Sequence, residues 1–305
     1  MNKNDISILK SIKYIDNRHI YDGIKAGSLA DTTQINEDEN HIPYIKFTTF
    51  EDIDFIRHGF STRLGGVSSG IFESMNLAFN RDDNPELVLE NFKRISKAIG
   101  TTPEKCVYSK QTHTTNVMRV GKKHCGMGVV RERDFDNIDG LVTNEPGVCL
   151  VTAYADCVPL FFIDRVNRCI GASHSGWRGT VSNITKSTLE LMKDEFGTKP
   201  ENVCAFIGPS ICRSCYEVSE DVAVWFDNVY KKDTDRIVIP KGGGKYLLNL
   251  QMANYFNMIH EGILDKNIGI SDICTCCNPR LLYSHRASKG KRGVLCGFIM
   301  IKESE

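Results

Sequence analysis

Cys157 and His174 carry the chemistry in this chain that packing least explains. They belong to Ala155-Asp156-Cys157-Val158-Pro159 and His174-Ser175-Gly176-Trp177-Arg178-Gly179, two polar clusters joined to apolar segments. A thiolate and an imidazole a few ångströms apart can share one metal ion or one proton.

The residues between them read as the hairpin that would bring them together. Val158-Pro159-Leu160-Phe161-Phe162-Ile163 and Cys169-Ile170-Gly171-Ala172-Ser173 are apolar runs of strand length, separated by the turn-forming Asp164-Arg165-Val166-Asn167. Pairing Asp164 with Asn167 sets Cys157 directly opposite His174, with Cβ atoms about 4.5 to 5.5 Å apart. Arg165-Val166 is not a favoured two-residue loop, and a slip of one residue would turn the two side chains to opposite faces.

His113, in Gln111-Thr112-His113, offers a third donor. Two imidazoles and a thiolate suffice for a catalytic zinc, which takes three protein ligands and leaves a fourth position open. The residues alone leave two other readings: Cys157 as a nucleophile with His113 or His174 as its base, or a buried cysteine beside two hydrogen-bonded histidines. Arg178 lies in a turn leading into a helix, where an anion would meet the positive end of the dipole, although the same turn could simply pack Trp177 in the core. Arg63, beside the Gly-rich stretch to Gly70, is a second anion candidate. Neither that stretch nor Gly242-Gly243-Gly244-Lys245 ends as a phosphate loop does. Cys212-Arg213-Ser214-Cys215 and Cys274-Thr275-Cys276-Cys277 could join in a second metal site, but read as free buried thiols. His285 and Arg286 are ambiguous: with Lys289, Lys291 and Arg292 after them, the plainer alternative to a functional role is a solvated basic segment.

The elements that must position these residues are mixed. Residues 1–41 are polar and weakly periodic, a peripheral extension with room for one strand or short hairpin, and residues 42–305 form the catalytic domain. Strands are expected over 56–62, 106–109, 140–143, 148–152 and 294–301. Helices are expected from Asn84-Pro85 to Gly100, from Gly179 to about Phe196, over Glu220–Tyr230 and over 251–264. Strands and helices without strict alternation argue for an α+β sandwich in a single domain. Lys plus Arg and Asp plus Glu number 38 each, so no global field attracts nucleic acid or an anionic membrane. The Met-Asn-Lys-Asn-Asp start lacks a secretory signal, and twelve cysteines without small-scaffold spacing suit a reducing cytoplasm.

Taken in order, the motifs resemble the laccase-domain family, whose members are called multicopper polyphenol oxidase, purine nucleoside phosphorylase or peptidoglycan editing factor. The resemblance rests on His58-Gly59-Phe60-Ser61-Thr62-Arg63, Asn76-Leu77, Gln111-Thr112-His113, Asp139-Gly140-Leu141-Val142-Thr143, Ala155 to Pro159, His174 to Gly179, Gly208-Pro209-Ser210-Ile211 with Cys215-Tyr216-Glu217-Val218, and Ser284-His285-Arg286. It implies a four-layer α/β/β/α sandwich and a zinc site at His113, Cys157 and His174. It also implies action on purine nucleosides: phosphorolysis of adenosine, inosine, guanosine and methylthioadenosine, with adenosine deamination. Arg63, Asn76, Arg178 and Arg286 then become candidates for holding substrate or phosphate. The chain departs from the family where Ala78-Phe79-Asn80-Arg81-Asp82-Asp83 stands in place of a His-Val-Gly-Asp-Asp string, and where Ser175 replaces a common Ala.

Physical chemistry chooses among the names. Multicopper chemistry draws on some ten histidines, many as His-x-His pairs, and this chain has eight with no such pair, so copper is disfavoured against zinc. The expectation is a cytoplasmic zinc-dependent phosphorylase and deaminase, a monomer or small homo-oligomer whose partners are a purine nucleoside and phosphate. The alternatives are a Cys-His amidase acting on a peptidoglycan precursor and a non-enzymatic zinc-binding module.

Overall fold

A computed structural model describes residues 3–15 and 32–303 of the chain; residues 16–31 of the expected extension lie outside that description. Two six-stranded mixed sheets form the centre. One runs in the order Thr33–Glu37 (β1), Pro43–Phe47 (β2), Ile56–Ser61 (β3), Leu295–Ile301 (β15), Cys149–Tyr154 (β7) and Cys106–Tyr108 (β4). The other runs Ile268–Ile270 (β14), Val203–Ile207 (β10), Val158–Asp164 (β8), Cys169–Ser175 (β9), Gly140–Thr143 (β6) and Val117–Arg119 (β5). A small third sheet pairs Lys245–Leu248 (β13) with Glu217–Ser219 (β11) and Val238–Gly242 (β12).

The inner faces of the large sheets meet in a core that includes Phe47, Phe60, Leu150, Phe161, Ile170 and Phe206. Their outer faces are covered by helices, which completes the four layers implied by the resemblance. Pro85–Ile99 (α2, after a first helix, Lys3–Leu9, α1) lays Val88, Phe92, Ile95 and Ile99 against the first sheet. Its ends follow from local chemistry: the Asn84 side chain accepts the Glu86 amide at 2.8 Å, and Gly100 takes the left-handed conformation that stops the helix. Ile184–Phe196 (α4) and Leu250–His260 (α6, after the helix Glu220–Tyr230, α5) cover the second sheet. Because both faces of that sheet are covered, β8 and β9 are buried at every position, which is why their sequences run apolar instead of alternating. No helix among the described residues is long and apolar enough to cross a membrane.

Two expectations are corrected. The helix expected to begin after Gly179 already starts at Trp177 (Trp177–Val181, α3) and breaks before α4. Asn183 sits there in a left-handed conformation and caps α4 by accepting the Lys186 amide. The β8–β9 loop has four residues instead of two. Asp164 accepts the amides of Val166 and Asn167 at 2.9 and 3.1 Å, and Arg168, with φ of 50°, closes the turn onto Cys169. His174 is therefore opposite Pro159 and not Cys157. A shift of two preserves strand parity, so both side chains keep the same face.

His58, which opens the first shared motif, is a core residue. Its Nε2 accepts the Phe47 amide at 2.9 Å and its ring stacks on Phe47, while burial, reinforced by the Lys46 charge, pushes its pKa down to about 3. The unfolded histidine takes up a proton near pH 6.5 and the folded one does not. This contribution is complete above pH 6.5 and is lost as the pH falls towards 3, by up to about 1.4 kcal/mol per pH unit. Urea unfolding of wild type and His58→Gln at pH 7 and pH 4 checks it: the wild type's advantage should shrink at pH 4, and a pH-independent difference would refute the assignment.

Candidate functional site

Asp139 is the residue on which the site is built. It immediately precedes β6, and the antiparallel pairing of Gly140 with Ser173 sets it beside His174. The His174 amide donates to the Asp139 carbonyl at 2.7 Å, and His174 Nδ1 lies 2.8 Å from Asp139 Oδ1. The same fully buried carboxylate accepts the amides of Thr112, His113 and Thr114 at 2.9 to 3.0 Å, and the Thr114 hydroxyl at 3.0 Å. One side chain thus fixes the His174 ring and the turn that presents His113, whose φ of 66° is left-handed.

Cys157 enters from the start of β8. It follows Asp156, another left-handed residue (φ 87°), whose carboxylate accepts the Thr275 hydroxyl and the Arg286 amide, each at 2.6 Å, and whose carbonyl accepts the Ile211 amide at 3.0 Å. The ligand atoms of His113, Cys157 and His174 all lie within 4.8 Å of one another, and the two imidazoles meet edge to face at 4.9 Å. Gly176 passes so close that a Cβ there would stand 2.9 Å from the His113 ring and 3.4 Å from the Cys157 sulfur. Sequence reasoning found all three donors. It gave Asp139 no role, although an aspartate at the mouth of an apolar strand was the available signal.

Electrostatics favours the charged forms. Burial works against a thiolate at Cys157, yet His174 and His113 draw its pKa down to about 6. Burial likewise opposes a charged His174, but Cys157 and the Asp139 hydrogen bond hold it up at about 9. Asp139, despite its burial, is held at about 2 by His174 and the amides. With Nδ1 donating to Asp139, His174 offers Nε2, the arrangement found in carboxylate-oriented metal ligands. The set fits a metal ion: borderline-soft donors, ligand atoms at mutual reach, and three ligands that leave a position for a reactant.

The three donors line a cleft of about 330 Å³, together with Phe79, Tyr108, Arg81, Arg133 and Arg292. Arg292 does not fit the solvated-segment alternative: it is half-buried, its Nε has no hydrogen-bond partner, and burial followed by the nearby Arg81 lowers its pKa to about 10. Neither Arg292 nor Arg81 joins an ion pair among the described residues.

The other sequence candidates lie outside this lining. Arg63 gives Nε and Nη2 to the Glu73 carbonyl and Nη1 to the Pro279 carbonyl, and packs over Tyr283. Asn76 is buried, bonded to Asp83 and to the Val294 amide, and so braces two segments that line the cleft. Arg178 is exposed and folds over Trp177. Arg286 donates to the Glu217 carbonyl and covers the ring of Tyr216, whose phenol is pushed up to about 12 by burial and then by Cys157. Ser175, the departure from a common Ala, donates to Asn254 at 2.8 Å and ties the end of β9 to α6.

Known proteins repeat this arrangement of chain. A purine nucleoside phosphorylase of Bacillus subtilis, YlmD, is 34% identical over 252 residues, which is 81% of this chain and 88% of the relative. A purine nucleoside phosphorylase of Bacteroides thetaiotaomicron is 34% identical over 270 residues, 88% of this chain and 98% of the relative. The crystal structure of the Bacillus licheniformis hypothetical protein YfiH superposes with a TM-score of 0.81 at 31% identity, covering 85% of this chain and 96% of that one. The family described as multi-copper polyphenol oxidoreductase laccase matches residues 57–302, a span that holds the three donors, Asp139 and the three cleft arginines, and the chain belongs to that family.

Proposed function

We propose that this protein is a zinc-dependent purine nucleoside phosphorylase, acting on adenosine, inosine, guanosine and methylthioadenosine, with adenosine deamination at the same site. The observation that carries the reading is the meeting, in one cleft, of an open His113–Cys157–His174 donor set with Arg81 and Arg292, neither of which joins an ion pair among the described residues. The names of the relatives agree with it. In phosphorolysis a phosphate oxygen bonds to the ribose C1′ as the bond from C1′ to the purine nitrogen breaks, giving ribose 1-phosphate and the free base. Arg292 and Arg81 offer forked N–H donors that match phosphate oxygens, in a site where burial strengthens the attraction. His113, Cys157 and His174 would hold the zinc ion, and Asp139 keeps His174 in the tautomer that leaves Nε2 free to ligate. When bound, the ion supplies Lewis acidity and a nucleophile from water at neutral pH, which is also what attack on adenine C6 requires.

Chromatography of adenosine incubated with and without phosphate tests this. Adenine and ribose 1-phosphate should form only with phosphate, and inosine with ammonia in either case. Absence of turnover of adenosine, inosine and guanosine would overturn the reading. Replacing Arg292 with Gln removes a charged hydrogen bond of about 1.5 to 3 kcal/mol. It should lower kcat/KM for phosphate roughly 10- to 100-fold, while phosphate-independent deamination changes little.

A second reading rests on the depressed Cys157 thiol beside the raised His174, the charge pattern of a cysteine nucleophile with its base. In that case the protein is an amidase acting on a peptidoglycan precursor, and metal is dispensable.

A further inference from the structure

Four cysteines outside the cleft come together from two distant loops. β10 and β14 pair in parallel, so the chain leaves both strands in the same direction. The loop after β10 carries Cys212 and Cys215, and the loop after β14 carries Cys274 and Cys277, with the Thr275 amide donating to the Ser210 carbonyl between them. Each pair has two residues between its members. Read separately the pairs suggested free thiols, but folded they place all four sulfurs within 4.8 Å of one another. Cys212 and Cys277 sulfurs are 4.0 Å apart, and Cys215 and Cys277 sulfurs 3.4 Å. A tetrahedral ion with bonds of about 2.3 Å holds its sulfurs about 3.8 Å apart, so the cluster needs little adjustment to close on one.

A second observation concerns charge. Cys274 Sγ receives two backbone N–H groups, from Cys212 at 3.2 Å and from Cys277 at 3.4 Å. Such donors stabilise a metal-bound thiolate and do little for a neutral thiol. Neighbouring Cys276 is not one of the converging sulfurs, so the geometry selects the two members with metal-ligand spacing. Four protein ligands leave no open position, which marks a structural site and separates it from the three-donor set.

We propose that Cys212, Cys215, Cys274 and Cys277 hold a structural zinc ion that pins the two loops supporting Asp156 and Cys157. The support is direct: Ile211, next to Cys212, donates its amide to the Asp156 carbonyl, and Thr275, next to Cys274, donates its hydroxyl to the Asp156 carboxylate. The site stands independently of the proposed activity, because it shares no ligand with the cleft.

Metal content separates the two sites. Wild-type protein purified without chelator should contain two zinc ions per chain by plasma mass spectrometry. The His113→Ala/Cys157→Ala variant should keep one, Cys212→Ser/Cys277→Ser should keep the other, and Cys276→Ser should keep both. If the cysteine variant does not fold, the His113→Ala/Cys157→Ala protein alone suffices. Reconstituted with Co2+, it should show the absorption of a tetrahedral tetrathiolate, and four thiols should become reactive only after the metal is removed. The proposal is overturned if that variant binds no zinc, if it binds iron instead, or if its intact mass reveals disulfides among these cysteines.

Discussion

Asp139→Asn should weaken metal binding by the His113–Cys157–His174 donor set, at a cost in stability larger than that of most single substitutions. The carboxylate accepts from an imidazole, three amides and a hydroxyl in a fully buried position, and an asparagine would turn an NH2 group towards some of those donors. Each buried donor left unsatisfied costs about 1 to 3 kcal/mol, and the losses overlap, so destabilisation of about 3 kcal/mol or more is expected. Loss of the group that orients a metal-binding histidine typically weakens metal affinity about 10- to 100-fold. Zinc titration with a competing chelator measures the second effect and chemical denaturation the first. Unchanged affinity would mean that His174 is oriented by something else.

Cys157→Ser should separate the two chemical readings. If the thiolate is a ligand, the variant loses the cleft zinc and keeps the ion of the four-cysteine cluster, and nucleoside turnover falls with the several kcal/mol of lost transition-state stabilisation, about a thousandfold. Chelation should then silence the wild type, and added zinc should restore it. If the thiolate is instead a nucleophile, the wild type should keep turning over after exhaustive chelation, and a thiol-directed alkylating agent should inactivate it stoichiometrically. Measuring zinc content together with activity in the same samples makes the outcomes exclusive.

Local chemistry was legible in the sequence wherever it could act locally. The Asn84 cap, the apolar face of α2 and the Gly100 stop lie within one helix and needed no tertiary information. Cys157 and His174 could be set on one face because strand parity survives an error of two residues. Their register could not be fixed, since it depends on Asp164 capturing two loop amides. Asp139 stands in one of the quoted motifs but has no role there, because its role exists only once β6 lies against β9. Arg292 was hidden among exposed basic neighbours, and only the fold turns it into the cleft. Cys215 and Cys277 are 62 positions apart, too far for either Cys-x-x-C pair to indicate its partner; the parallel pairing of β10 with β14 brings them together.

The three consecutive amides aimed at Asp139 form a backbone nest, the kind of concavity that elsewhere captures phosphate or sulfate. Here the protein has filled its own nest with an internal anion. That occupancy denies the 112–114 turn to any incoming oxyanion and leaves the arginine side of the cleft as the place for one. It also makes the turn one of the slowest-exchanging loops expected in the molecule, since its amide protons can reach solvent only when a buried carboxylate lets go. Hydrogen exchange at Thr112, His113 and Thr114 would then report on the intactness of the chemical centre without any substrate present.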